Sequence, residues 1–254
     1  RPEGGRSQSR NIVGWVKKQN VRPKGPIVIA AQPSGWPTTL VLPDKSKKIV
    51  YQGTEMEVLQ ETPGVRRLKV RTVDPSSMEF LEGWVNKQDV NQSPANVATE
   101  YLSTTGVMEK WSGGNMRKLF DGWQSRLFKV ENRGRNVNYY THERGNSTGV
   151  HKGAPIDVRN IIDVYFTAPD GTSDLHKPSD HFAIEVKKDG GDVRVYYLRN
   201  TNAAKKGEKA RDPGNLLPWI RGLRYAMNIW KKADAKGLEY PPELAVAAEA
   251  EAEA

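Results

Sequence analysis

Short, largely apolar runs broken by polar residues recur along the chain: WQSRLFKV, NVNYYTH, NIIDVYFT, HFAIEVKK and DVRVYYLR. Each is rich in β-branched and aromatic residues and bounded by turn residues, which predicts strands. The period changes at Pro218–Trp230 (PWIRGLRYAMNIW), where Trp219, Ile220, Leu223, Ala226, Met227 and Trp230 recur at three- and four-residue spacing. That spacing makes one face of a helix apolar. Pro218 suits a first helical turn, where no backbone N–H is needed, and Arg221, Arg224, Asn228, Lys231 and Lys232 fall on the opposite face. Such a helix needs a partner surface. The strands before it supply one, so the expectation is a small sheet or barrel plugged by the helix.

Nearer the start, NIVGWVKKQNV at Asn11–Val21 returns as FLEGWVNKQDV at Phe80–Val90, about 69 residues later. Between the copies lie the strand-like runs IVIAA, TLVLP, KIVYQG, TEMEVLQE and RRLKVRTV, with turns at Pro33–Trp36, Pro43–Lys45 and Pro63–Gly64. They describe a small all-β unit over residues 26–90, preceded at 1–25 by the tail of another copy. Residues 91–105 read as a polar linker with one turn of helix at Ala95–Leu102. Residues 106–233 hold the later strands and the helix, and the piece 105–233 is expected to fold alone. Residues 234–254 run into alternating Ala and Glu, which reads as a disordered or loosely helical acidic tail with too little apolar variety to pack.

The order of pieces in residues 106–233 resembles the pleckstrin homology (PH) domain. GVMEKWS is similar to its first strand, GWQSRLFKV to its second, VNYYTHE to its third and KGAPIDV to its fourth. IIDVYFT, HFAIEVKK and VRVYYLRN follow as fifth to seventh, and the closing helix carries Trp219 as the family's helix tryptophan. Residues 26–90 resemble Src-homology-3-like (SH3-like) barrels, GTEMEVL being similar to their "Gly, then alternating apolar" strand and EGWVNKQDV to their closing strand. The acidic and aromatic residues with which signalling members bind proline-rich peptides are not evident, so a spacer or docking barrel is expected. The fold class implied is mainly β: a small SH3-like barrel, then a PH-like seven-stranded barrel capped by a C-terminal helix. Trp219, Leu223 and Trp84 are the expected structural residues.

Charge is unevenly spread. Residues 1–104 carry a net +5, residues 105–233 a net +9 and residues 234–254 a net −5. A basic PH-like segment favours anionic partners, such as acidic phospholipid or phosphoinositide at a membrane surface, alongside protein partners. Nucleic acid is not expected. Zero cysteines exclude disulfides and thiolate metal sites, no apolar run approaches a membrane span, and the start has no apolar signal core. The chain opens on Arg1 rather than Met, which reads as a fragment of a longer protein. A cytoplasmic, peripherally membrane-associated location is expected.

In phosphoinositide-binding PH domains, a Lys near the end of the first strand and a basic-x-Arg pair in the second converge under the first loop; multivalent phosphates need several such cations. The resemblance puts Lys110 and Arg126 in those places, with Gln124 where the other basic residue would be. Arg117 and Lys118 in SGGNMRKLFDG could substitute as donors, and Met116, Leu119 and Phe120 could dip into a bilayer. The resemblance also gathers Arg144, Lys152, Lys187 and Lys188 at the same open end, opposed by Asp121, Glu143, Asp189 and Asp192. KKGEKAR at Lys205–Arg211 would lie at the far end. The alternative is a PH-fold module that holds a peptide along a strand edge and helix, with no lipid role.

Enzyme signatures are weak. His176 and His181, with Asp174 and Asp180, sit in SDLHKPSDHF, where they read as loop histidines in polar surroundings and not as a metal site. There is no G-x-S-x-G elbow, no G-x-x-x-x-G-K-[ST] loop and no H-E-x-x-H. The expectation is a non-enzymatic adaptor or scaffold with no cofactor.

Overall fold

The computed structural model describes residues 25–252, except 75, 76, 78, 91, 92, 112–121, 144, 145, 169–176, 189, 205–208, 210 and 212. The first repeat copy lies outside the described residues. The chain is mainly β, with two antiparallel sheets and helices at the C-terminal side. The first sheet contains β1 (Ile27–Ile29), β2 (Thr38–Val41), β3 (Lys47–Val50), β4 (Glu55–Glu61), β5 (Arg67–Val73) and β6 (Phe80–Asn86), in the order β1-β4-β5-β6-β2-β3. A 3₁₀ turn, Lys87–Asp89, follows β6. Leu40, Met56, Val70 and Val85 form its core.

Strand parity settles the place of Trp84. Gly83 and Val85 of β6 face the core, so Phe80 and Trp84 lie on the outer face at 72% and 36% exposure. Trp84, expected as a structural residue, therefore lies outside that core. Arg71 lies over the Phe80 ring at 5.7 Å and Lys69 over Trp84 at 5.9 Å.

After helix α1 (Pro94–Leu102) the second sheet is built from β7 (Thr105–Trp111), β8 (Trp123–Glu131), β9 (Asn136–Glu143), β10 (Asn146–His151), β11 (Ile156–Asp157), β12 (Ile161–Thr167), β13 (His181–Lys187) and β14 (Val193–Arg199). Its order is β10-β9-β8-β7-β14-β13-β12, with β11 pairing β9. The seven strands read from the sequence are all present. β10 is an addition, hidden in NSTGVH by its turn-forming residues. Neither sheet closes on itself among the described residues, so the expected barrels are open sheets. The edge of β12 meets a side chain instead: Arg224 Nε donates to the Val164 carbonyl at 2.5 Å.

That arginine belongs to α2 (Leu216–Ala235), which is buried nearly all round. One face carries Trp219, Leu223 and Trp230 into the second sheet's core, where Trp219 meets Phe128 edge-on at 6.2 Å. The other face, polar by sequence, is covered as well. Arg221 and Arg224 are each only 8% exposed. Arg221 Nη2 donates to Glu100 of α1 at 2.6 Å, and Arg224 lies over the Tyr51 ring at 4.6 Å and 3.5 Å from Asp163. The charges are tolerated because each guanidinium finds acceptors or a ring.

The residues read as a linker form α1, capped by the Ser93 hydroxyl accepting from Asn96 N–H at 3.2 Å, with Pro94 in its first turn. Val97, Ala98 and Tyr101 of α1 are buried. Gly222 allows the close approach of α1 to α2: a Cβ there would stand 2.9 Å from Tyr101 Cδ2. The Ala/Glu stretch forms α3 (Pro242–Ala252), and Leu244 and Ala247 bury themselves in the same core. One leucine and the small alanines suffice, where composition predicts no packing face. Tyr101 Oη and Trp230 Nε1 both donate to the Gly134 carbonyl, at 2.8 and 3.4 Å, which ties α1 and α2 to the β8–β9 turn.

The first sheet's unit also rests on α2. Ile29 joins the second core, Glu55 pairs with Lys232, and the turn at Gly53 lies on the helix backbone. Gly53 has φ +81°, and a Cβ there would be 2.6 Å from the Arg221 carbonyl oxygen and 3.1 Å from Tyr225 N. Gly53→Ala should therefore destabilise by more than the roughly 1–2 kcal/mol of left-handed backbone strain. Gly64→Ala is the reference, because Gly64 has φ +74° with nothing within 4 Å. Equal losses in urea unfolding would mean that the turn leaves the helix freely.

Candidate functional site

Alternation brings three cations to one face of the second sheet. On β7, Met108 is buried and Lys110 follows it on the same face; on β8, Phe128 points to Trp219 and Arg126 shares its face. On β14 the same face carries Arg194, Tyr196 and Leu198. Register aligns Lys110 with Gln124 and Leu198, and Arg126 with Met108 and Thr141. The half-buried Lys110 ammonium lies 5.3 Å from the Tyr139 ring centre and 5.6 Å from that of Tyr196. Arg194 covers the Tyr196 ring at 4.6 Å. The Arg126 guanidinium donates to the Ser125 carbonyl at 2.7 Å and to Gln124 Oε1. Gln124, in the position where a second basic residue is expected, thus orients Arg126.

Burial lowers the pKa of Lys110 from its ordinary value, and the neighbouring Arg194 and Arg126 lower it further. Among the described residues, no carboxylate pairs with Lys110, Arg126 or Arg194. Elsewhere on the sheet arginines are paired, as Arg199 is with Glu109 at 2.6 Å and Arg159 with Asp157 at 2.8 Å. The arrangement can hold an anion: three positive groups converge over two tyrosines, at the end of β7 where the connection to β8 begins.

The remaining expected cations divide. Arg117, Lys118, Arg144, Lys205 and Lys206 lie outside the described residues. Lys188 is exposed in the β13–β14 hairpin, which projects past the end of β7, and its N–H donates to the Asp192 carbonyl at 2.8 Å. Lys187 is exposed on the face opposite Val186, and so opposite Arg194, its strand partner's neighbour. Lys152 is exposed where the chain leaves β10 beside β9, and its N–H donates to the Tyr139 carbonyl at 3.0 Å. Sequence reasoning missed Arg194, Tyr139 and Tyr196. Their parity was visible in DVRVYYLR and NVNYYTH, but their convergence requires the strand order β9-β8-β7-β14.

His181 is not a loop histidine. It opens β13, is 2% exposed, and its Nδ1 lies 2.9 Å from Asp180 Oδ1. No group of three metal-ligating side chains is found among the described residues. No described helix is long and apolar enough to cross a membrane.

No family model and no curated protein matches the chain. Among solved structures, the chain is similar to the PH domain from TgAPH, with a TM-score of 0.31 and 14% identity over 53% of this chain and 88% of that domain.

Proposed function

We propose that the second sheet with α2 is a non-enzymatic interaction module in which Lys110, Arg126 and Arg194 hold the phosphate groups of an anionic lipid headgroup, placing an adaptor or scaffold protein at an acidic membrane surface. The observation that carries this reading is the cluster of three cations on one face with no carboxylate pairing among the described residues. Burial and the neighbouring guanidiniums there disfavour the charged state of Lys110, and the opposite charge of a phosphate would favour it. The first unit, SH3-like by its closing strand, is read as a docking unit. The peptide alternative has an obstacle. The edge of β12 and the adjacent face of α2, where a peptide strand would lie, are covered by Tyr51 and the Gly53 turn.

Vesicle sedimentation tests the proposal. Charge-assisted contacts are worth about 1.5–3 kcal/mol each, and about 1.4 kcal/mol is tenfold. Arg126→Glu and Arg194→Glu should each weaken binding to phosphoinositide-containing vesicles at least about tenfold. Lys187→Glu, on the opposite face of the sheet, should change it little. If all three reversals act alike, only diffuse attraction operates. If the wild type ignores anionic vesicles, the headgroup site is wrong.

A further inference from the structure

On the outer face of the second sheet, behind the cation cluster, a row of contacts runs from a buried histidine to the two ends of the β7–β8 connection. Asp180, 1% exposed, accepts the Nδ1 proton of His181 at 2.9 Å and the Ala204 N–H at 2.7 Å. With its proton on Nδ1, a neutral imidazole leaves Nε2 as a bare acceptor. Nε2 is buried and has no hydrogen-bond partner among the described residues. The ring meets Trp123 edge-on at 5.7 Å, and Trp123 meets Trp111 edge-on at 5.3 Å. Trp111 ends β7, Trp123 begins β8, and the two are cross-strand partners. Gly122, with φ +69°, fits beneath Trp111, where a Cβ would stand 2.6 Å from the ring.

We propose that His181 is an acid-sensitive latch: protonation at Nε2 loosens the Trp123–Trp111 pair, and with it the pairing of β7 and β8, the strands that carry Lys110 and Arg126. The coupling to membrane binding rests on the headgroup reading above; the latch itself does not.

The charged groups facing the ring are Asp180 ahead of β13, Arg199 on β14 and Glu109 on β7. β8 presents Trp123, and β12 presents Thr167, the strand partner of His181; neither titrates near neutrality. A proton on Nε2 creates an N–H with no acceptor and a second positive charge near Arg199, whose guanidinium lies 4.2 Å over Trp123. Asp180 opposes the change, but its carboxylate is already shared with Ala204. Burial, with Arg199 adding to it and Asp180 and Glu109 opposing, holds the His181 pKa below its ordinary value of 6.5. The neutral ring therefore contributes stability that is full above that value and lost as pH falls through the folded-state pKa.

Acidification otherwise makes the protein more cationic and should strengthen attraction to an anionic surface. The latch has the opposite sign. Between about pH 6.5 and about pH 4.5, below the ordinary histidine value, the indole ¹⁵N–H signals of Trp111 and Trp123 should shift in lipid-free protein while those of Trp219 and Trp230 stay. Binding to vesicles of phosphatidylcholine with phosphatidylglycerol, whose phosphodiester keeps its charge, should weaken at least about threefold over the same range. His181→Phe keeps a ring against Trp123 without a titrating nitrogen and should abolish both effects. Asp180→Asn removes the carboxylate that supports the charged ring and should move the indole transition to lower pH. Indoles that stay still, or that shift equally in His181→Phe, overturn the latch. Indole shifts with unchanged or stronger vesicle binding in acid overturn the coupling. A wild type that binds no anionic vesicle at any pH overturns the headgroup reading and the coupling together, while the indole signals still decide the latch.

Discussion

Residues 105–233 expressed alone should fail to unfold cooperatively, whereas residues 25–252 should show a sharp transition. The shorter piece holds every strand of the second sheet and α2 as far as Ala233, and by sequence it looks complete. The core extends beyond that boundary. Val97, Ala98 and Tyr101 come from α1, Leu244 and Ala247 from α3, and Ile29 from β1. Val97, Tyr101 and Leu244 alone, at about 1.5–3 kcal/mol per fully buried side chain, amount to about 5–9 kcal/mol. That is comparable to the whole stability of a typical domain, about 5–15 kcal/mol. The shorter piece would also leave Arg221 without Glu100 and Arg224 without Tyr51. A sharp, reversible melt of 105–233, close in midpoint to that of 25–252, would show that α1 and α3 are accessories.

Trp219→Ala should destabilise the protein by about 3–5 kcal/mol, the range for removing a large aromatic from a packed core. Trp219 is 3% exposed, its ring meets Phe128 edge-on, and Gly106 of β7 lies against its indole nitrogen side. No neighbour can collapse into the space easily, because α2 is held from behind by α1 and the Gly53 turn. The measurement is the urea midpoint with an unchanged slope. A loss under about 1 kcal/mol would mean that the indole is not packed as described.

Much of the architecture was legible because strands and helices have different periods. The runs WQSRLFKV, HFAIEVKK and DVRVYYLR, rich in β-branched and aromatic residues, became β8, β13 and β14; the three- and four-residue spacing of Trp219, Leu223 and Trp230 became α2. What failed to read depended on distant partners. Arg221 and Arg224 look like a solvated face until Glu100 and Tyr51 arrive from elsewhere in the chain. Trp84 reads as a structural residue until the register fixes Gly83 and Val85 inward. Leu244 looks stranded among Ala and Glu because its pocket is made by α1. In the candidate site, Lys110 and Arg126 came from adjacent strands and a family resemblance, while Arg194 came from a strand whose neighbour is not its neighbour in sequence.

The packing of α3 against α1 sets an order of events for the nascent chain. Val97 and Leu244 lie in one core but far apart in sequence, and a contact of such long range must meet the entropy of closing a long loop before it contributes anything. During synthesis the second core can collect its strands and α2, yet it stays open at the Gly134 turn until Leu244 has left the ribosome. For that interval Tyr101 and Trp230 are covered only in part. The segment that looks most dispensable by composition is thus the one that completes the core, and a polymerase or ribosome stopping short of Leu244 would release a chain with an apolar face exposed.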